Sequence, residues 1–298
     1  MLKNENGCES ILGKSPYALT PLMIGMRLRG GFDIEIFATG DEILFGRIVD
    51  TNSSWIARRA WEAGAHLRRI TCVGDDVDEI AGALREALSR GVKLVIFTGG
   101  LGPTEDDVTI QAIGKAVGRG VELNPEAVEM IREKCAALGV ESTPRRERMA
   151  RLLEGSELVK NPIGIAVGMV LRENGTTIVT LPGVPEEMKA MFDGYIVPMI
   201  AENATSRFLA KTVRVRMVWK DFFPVYRSVQ DDFRDVYVKM AATAPFNTEE
   251  REKVRDIKVD LVVEGASKAE CEQRMDAFLS DFKKRIEASS GILTTEKS

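Results

Sequence analysis

Histidine is almost absent from this chain: His66 is the only one in 298 residues. A Ser-His-Asp triad, a histidine-rich zinc site and imidazole acid–base catalysis all need that side chain, so the three are poorly served here. The four cysteines, Cys8, Cys72, Cys135 and Cys271, are scattered with no CxxC pair. That argues against a thiolate zinc site or a disulfide framework and fits a reducing cytoplasm. Any metal is left to oxygen ligands. No apolar run approaches the ~20 residues needed to cross a bilayer, so no membrane partner is expected. Net positive charge is lacking too, at a formal −4, which gives nucleic acid no general electrostatic footprint. The densest cationic cluster, Arg145, Arg146, Arg148 and Arg151, reads as a solvated helix face ahead of a phosphate contact.

What is present is enough for a full-sized core, with 44% hydrophobic residues and a length suited to one large or two ordinary domains. Residues 1–30 read as an N-terminal extension, with Met23 or Met26 as an alternative start; Pro21 and the missing small-residue cleavage pattern make a signal peptide a poor fit. From Asp33 strand and helix signals alternate: a strand at 33–38, a helix at 53–63, a strand at 69–73, a helix at 76–90 and a strand at 93–98. Such a βαβαβ series makes a right-handed, mostly parallel sheet with its ligand site at the carboxyl ends of the strands. Helices are expected at about 108–117, 125–138 and 144–153, then two strands turning at Asn174-Gly175, and a helix opened by Pro182 and Pro185. From Phe208 the pattern changes to alternating strands with two helices. The expected division is 31–204 for an α/β domain and 205–298 for a smaller α+β domain.

The segment Gly99-Gly100-Leu101-Gly102-Pro103-Thr104-Glu105-Asp106-Asp107 follows the apolar run Leu94–Phe97 and leads into a helical pattern. Glycines at such a turn let backbone N–H groups approach a phosphate closely, and a helix start adds positive potential. The carboxylates of Asp106 and Asp107 would repel that phosphate unless a divalent cation lies between them.

Five ordered motifs extend this reading: GDEILFGRIVDTN at Gly40 to Asn52, VGDD at Val73 to Asp76, TGGLGPTEDD at Thr98 to Asp107, NPIGIAVGM at Asn161 to Met169 and LPGVPEEM at Leu181 to Met188. Together they resemble the molybdopterin-binding family shared by MogA- and MoaB-type molybdenum-cofactor biosynthesis proteins and by the N-terminal domain of CinA proteins. The resemblance implies a three-layer α/β fold with a mostly parallel sheet, a cytoplasmic protein and a homodimer. For the CinA branch it implies hydrolysis of the pyrophosphate of ADP-ribose to AMP and ribose 5-phosphate with a divalent metal (Mg, Mn or Co) and K. The alternatives are molybdopterin binding or adenylyl transfer in molybdenum-cofactor synthesis, and a non-catalytic nucleotide-sensing module. Nothing matches the additional domain with deamidase activity found in longer relatives, and deamidation is not expected.

The expected site has Asp107, Glu42 and Asp75 as catalytic carboxylates, with a metal on Asp107, Asp106 and Glu42. The nucleotide or pterin ligand is assigned to Gly40, Asn52, Thr98, Gly99, Gly100, Leu101, Gly102, Pro103, Thr104, Asn161, Gly164, Pro182 and Gly183. Each has a plain local reading beside it. Thr104 and Asp107 have capping-box spacing, Asp75 and Asn52 stand where helix N-caps belong, and Glu186 and Glu187 follow Pro185 as ordinary first-turn acids. Where bacterial CinA relatives commonly read NNER, this chain has Arg145-Arg146-Glu147-Arg148.

Overall fold

The computed structural model describes residues 32–240 and 248–295; the N-terminal extension expected over 1–30 lies outside them. β1 (Phe32–Thr39) leads through the single turn α1 (Asp41–Leu44) into α2 (Thr51–Ala63), β2 (Ala65–Val73), α3 (Val77–Ser89) and β3 (Leu94–Thr98). Then come α4 (Thr109–Val117), β4 (Val121–Leu123), α5 (Pro125–Ala137), the short α6 (Pro144–Glu147), β5 (Arg151–Leu153), β6 (Glu157–Val159), β7 (Gly168–Glu173) and β8 (Thr176–Leu181). α7 (Pro185–Met191) and α8 (Val197–Asn203) complete this part.

The main sheet has the order β2-β1-β3-β8-β7-β6. β1 lies parallel to both neighbours, with Ile36 opposite Ile70 and Ile96, and β3 is parallel to β8. β7 and β6 run antiparallel, joined to β8 by the expected hairpin with Asn174 (φ 48) and Gly175 (φ 82) at its turn. Both faces of β1 are covered, as a central parallel strand requires. Ile34 and Ile36 pack with Ile56 and Ala60 of α2 and with Met188 of α7, while Phe37 stacks on Phe97 at 4.9 Å over α3 and α4. Glu35 is 1% exposed, and the Arg90 guanidinium closes on its carboxylate through two hydrogen bonds of 2.8 and 2.7 Å. At the amino end of the sheet His66 Nδ1 lies 2.9 Å from Asp33 Oδ1.

Residues 144–153 do not form the single helix expected of them. α6 is one turn, a 3-10 turn follows at Arg148–Ala150, and Arg151–Leu153 pairs as a strand with β4. Pairing buries Leu152 and Leu153 against the core, which a continued exposed helix would not achieve. From sequence, Pro198 should interrupt the helix opened by Pro182 and Pro185; the helical run instead continues past it. A π-helical turn over Phe192–Ile196 absorbs the change, and Pro198 stands in the first turn of α8, where its missing N–H is harmless.

Beyond residue 204, β9 (Arg207–Val218), α9 (Trp219–Asp232), β10 (Val236–Met240), α10 (Thr248–Arg251), β11 (Val254–Gly265), α11 (Lys268–Ala288) and β12 (Ile292–Thr295) follow. Their antiparallel sheet has the order β10-β11-β9-β12, with an apolar cluster of its own formed with α9 and α11. Strand β12 had no counterpart in the sequence reading. Across the expected boundary, Trp61 of α2 stacks on Phe208 of β9 at 5.0 Å.

Candidate functional site

The carboxyl ends of β1, β2, β3 and β8 open on one crevice of about 770 Å³. Parallel strands put the turns Gly40–Glu42, Gly74–Asp76, Gly99–Asp107 and Pro182–Gly183 at the same pole. Of the ligand positions expected from sequence, all except Thr104 and Asn161 line the crevice, as do Glu42, Asp75, Asp106 and Asp107.

The glycine loop is shaped by the fold before any ligand is considered. Gly99 (φ 106) and Gly100 (φ 64) sit in the left-handed region, and a Cβ would collide with the Thr39 carbonyl at Gly99 and with Thr109 Oγ1 at Gly100. Thr109 Oγ1 in turn donates to the Gly99 carbonyl at 3.1 Å, so β1, β3 and α4 clamp the loop. Asp107 fixes its other end: Gly102 N donates to Oδ1 at 2.7 Å, Thr104 N donates to Oδ2 at 2.8 Å, and the Thr104 hydroxyl donates to Oδ2 as well. The helix begins only at Thr109, and its N-cap, Val108, makes no side-chain capping hydrogen bond. The capping-box reading of Thr104 and Asp107 is thereby corrected: the pair ties the loop to itself and leaves the helix start alone.

Asn52 is corrected in the same way. The N-cap of α2 is Asp50, which accepts from Ser53 N at 2.9 Å. Freed from capping, the Asn52 amide donates to Thr98 Oγ1 at 3.1 Å and to the Gly183 carbonyl at 2.8 Å. Thr98 donates to the Pro182 carbonyl at 3.1 Å, which completes a small polar lattice under the crevice. Asn52 Oδ1 is buried and has no hydrogen-bond partner.

Asp75 is likewise no cap, because Asp76 accepts from Asp78 N and Glu79 N at the start of α3. Asp75 instead exchanges hydrogen bonds with Asp41: Asp41 N donates to Asp75 Oδ2 at 3.1 Å, and Asp75 N donates to Asp41 Oδ1 at 3.2 Å. Burial pushes the Asp75 carboxyl up; the Asp41 N–H opposes this, and the negative charges of Asp41, Glu42 and Asp106 add to it.

Asn161 is 2% exposed and spends its amide inside the protein. It donates to the Ala166 carbonyl at 2.8 Å and to Glu187 Oε2 at 2.6 Å, and accepts from Ile163 N and Gly164 N. It therefore shapes the loop that carries Gly164 to the crevice. Glu187, read from sequence as a plain first-turn acid, lines the crevice and is part of that loop's anchorage.

Arg146, read from sequence as part of a solvated cationic cluster ahead of a phosphate contact, is the single Lys or Arg lining this crevice. It lies on α6, beside Arg145, whose guanidinium donates to the Pro103 carbonyl at 3.4 Å. The cationic cluster and the departure from NNER were the two signals pointing there. Among the described residues no group of three or more His, Cys, Asp or Glu side chains is gathered closely enough to hold a metal by itself. With Asp107 committed to loop donors, Asp50 to the α2 cap and Glu187 to Asn161, a hard cation would draw chiefly on Glu42, Asp75 and Asp106, alongside phosphate oxygens of a ligand.

The family model for a probable molybdopterin binding domain matches residues 35–202, the part that builds this crevice. A protein of Pyrobaculum calidifontis is 41% identical over 206 residues, covering 68% of this chain and 78% of its own. One from Sulfurisphaera tokodaii is 35% identical over 249 residues, 84% of this chain and 93% of its own. The solved structure of the protein CinA from Thermoplasma acidophilum, described as of unknown function, is similar at a TM-score of 0.52 and 36% identity; the match covers 56% of this chain and 98% of that one. The chain belongs to the molybdopterin-binding domain family and has its CinA-like α/β fold.

Proposed function

We propose that the crevice binds a phosphorylated pterin of the molybdopterin class, and that the chain serves molybdenum-cofactor synthesis by holding that ligand or transferring an adenylyl group to it. The observation that carries this reading is Asn52 Oδ1, a buried acceptor without a partner on a residue that lines the crevice. An orphaned acceptor costs on the order of 1–3 kcal/mol, which a ligand N–H or O–H would recover. Pterin rings carry such donors, and the Glu42 and Asp75 carboxylates offer acceptors for the rest. The loop Gly99–Gly102 supplies backbone room for the phosphate. Anaerobic equilibrium titration with molybdopterin tests the proposal: saturable binding that Gly183→Val abolishes supports it, and absence of binding to the folded protein overturns it.

A second reading is favoured by the charge of the crevice. Glu42, Asp75 and Asp106 line it against one guanidinium, so a pyrophosphate would enter with a cation between it and the carboxylates. That suits divalent-metal-dependent hydrolysis of ADP-ribose to AMP and ribose 5-phosphate, with Mg, Mn or Co polarising the phosphate oxygens and K as an accessory ion. In it Asp107 positions the loop, and Glu42 or Asp75 takes the proton of the attacking water. Incubation with ADP-ribose under each metal decides between them. Chelator-sensitive turnover lost in Glu42→Gln supports hydrolysis; binding without turnover leaves a holding or sensing role.

A further inference from the structure

The glycine loop is a partition with a cavity on each side. Behind it lies a second cavity of about 380 Å³ that shares Gly100, Leu101, Gly102 and Asp107 with the crevice and adds Arg148 and Arg151. We propose that this rear cavity is a separate anion site that takes a phosphate group through Arg148 and Arg151, independently of the ligand in the crevice.

Among the half-buried arginines of the described residues Arg148 stands apart. Arg90, Arg119 and Arg285 close on Glu35, Glu173 and Asp232 at 2.7, 2.9 and 2.7 Å. The half-buried Arg148 guanidinium has no hydrogen bond or ion pair among the described residues, and neither has that of Arg151. A partly desolvated cation without a counterion is costly, and an oxyanion offsets that cost with charge-assisted, bidentate hydrogen bonds. Two acids also line the cavity. Asp107 has both oxygens engaged by Gly102 and Thr104 donors, and Glu105 stands exposed. The crevice is far more acidic, with Glu42, Asp50, Asp75, Asp106, Asp107 and Glu187 against Arg146, whereas the rear cavity has as many arginines as acids. A phosphate without a metal therefore partitions to the rear. Arg148, in the 3-10 turn, and Arg151, at the start of the following strand, both line this cavity.

The test is calorimetric titration of the full chain with inorganic phosphate at fixed ionic strength and without divalent metal. Saturable binding is expected, with affinity falling at least about tenfold in Arg148→Gln/Arg151→Gln and largely kept in Arg148→Lys. Arg146→Gln and Gly183→Val act on the crevice and should leave phosphate binding in place, so failure of the crevice assignment does not touch this one. If the double variant does not fold, Arg151→Gln at its exposed position carries the same expectation in direction. A repeat with ribose 5-phosphate separates the free ion from a phosphomonoester: the tighter binder of the two names the source. No saturable binding, or binding unchanged in the double variant and lost in Arg146→Gln, overturns the proposal.

Discussion

Asn52 and Gly183, far apart in the chain, are joined by a 2.8 Å hydrogen bond from the Asn52 amide to the Gly183 carbonyl. Through the further bond to Thr98, the start of α2, the end of β3 and the turn after β8 become one rigid floor. The turns of the crevice are thus positioned before a ligand arrives, which is the preorganisation that reduces the entropic cost of binding.

That floor separates two kinds of glycine. At Gly183 a Cβ would meet only Gly99 Cα, at 3.5 Å, an ordinary contact. Gly183→Val should therefore melt close to wild type while losing crevice ligand by about tenfold or more, since it fills space the ligand needs. Gly100→Val should instead lower stability by roughly 1–3 kcal/mol, through its φ of 64° and the collision with Thr109. Paired thermal melts and titrations check both. Equal stability of the two variants would show that the Gly100 backbone is not held as described.

Asp107→Asn is expected to act on stability first. An amide keeps one acceptor but turns an NH2 towards a backbone N–H now bonded to the carboxylate, so loss of a charge-assisted contact should cost about 1.5–3 kcal/mol. Denaturant melts measure it. A neutral effect on stability with a collapse of turnover would return Asp107 to direct chemistry.

Asp75 gives a pH signature. Its folded-state carboxyl titrates above the ordinary value, so the native state holds the extra proton and stability falls as pH rises from the ordinary carboxylate range through the raised value. Asp75→Asn should therefore be more stable than wild type at neutral pH and match it in acid, below the ordinary range. Melting temperatures of both proteins across pH decide this; an advantage that persists in acid would assign the effect to packing.

The division at residues 204 and 205 is tested by a fragment spanning 32–204. Its two apolar clusters lie wholly within that range, so it should fold and give a dispersed amide spectrum. Removal of Phe208 bares Trp61, and a redder, more quenchable tryptophan emission is expected with it. Collapse of the spectrum would make the C-terminal strands integral to the core.

Much of the α/β part was legible because its signals are local. The buried apolar run of β3, the apolar face of α3 and the Asn174-Gly175 turn can each be read within about a dozen residues. Errors fell where distant partners decide. Residues 151–153 pair as a strand with β4, and Asn52 and Asp75 take partners in other segments in place of a capping role, while Asp107 turns to donors within its own loop. The crevice's position followed from strand order. Its uneven charge did not, since Glu42, Asp75, Asp106 and Arg146 arrive from four separate segments of the chain.

The single histidine has one last use. His66 lies at the sheet's amino edge against Asp33, at the pole away from the crevice, with its side chain 17% exposed. As the lone imidazole, it contributes one isolated pair of aromatic proton resonances. That makes it a built-in sentinel: in any variant of the crevice, an unshifted His66 signal certifies the scaffold, and a change in binding can then be attributed to the altered site alone.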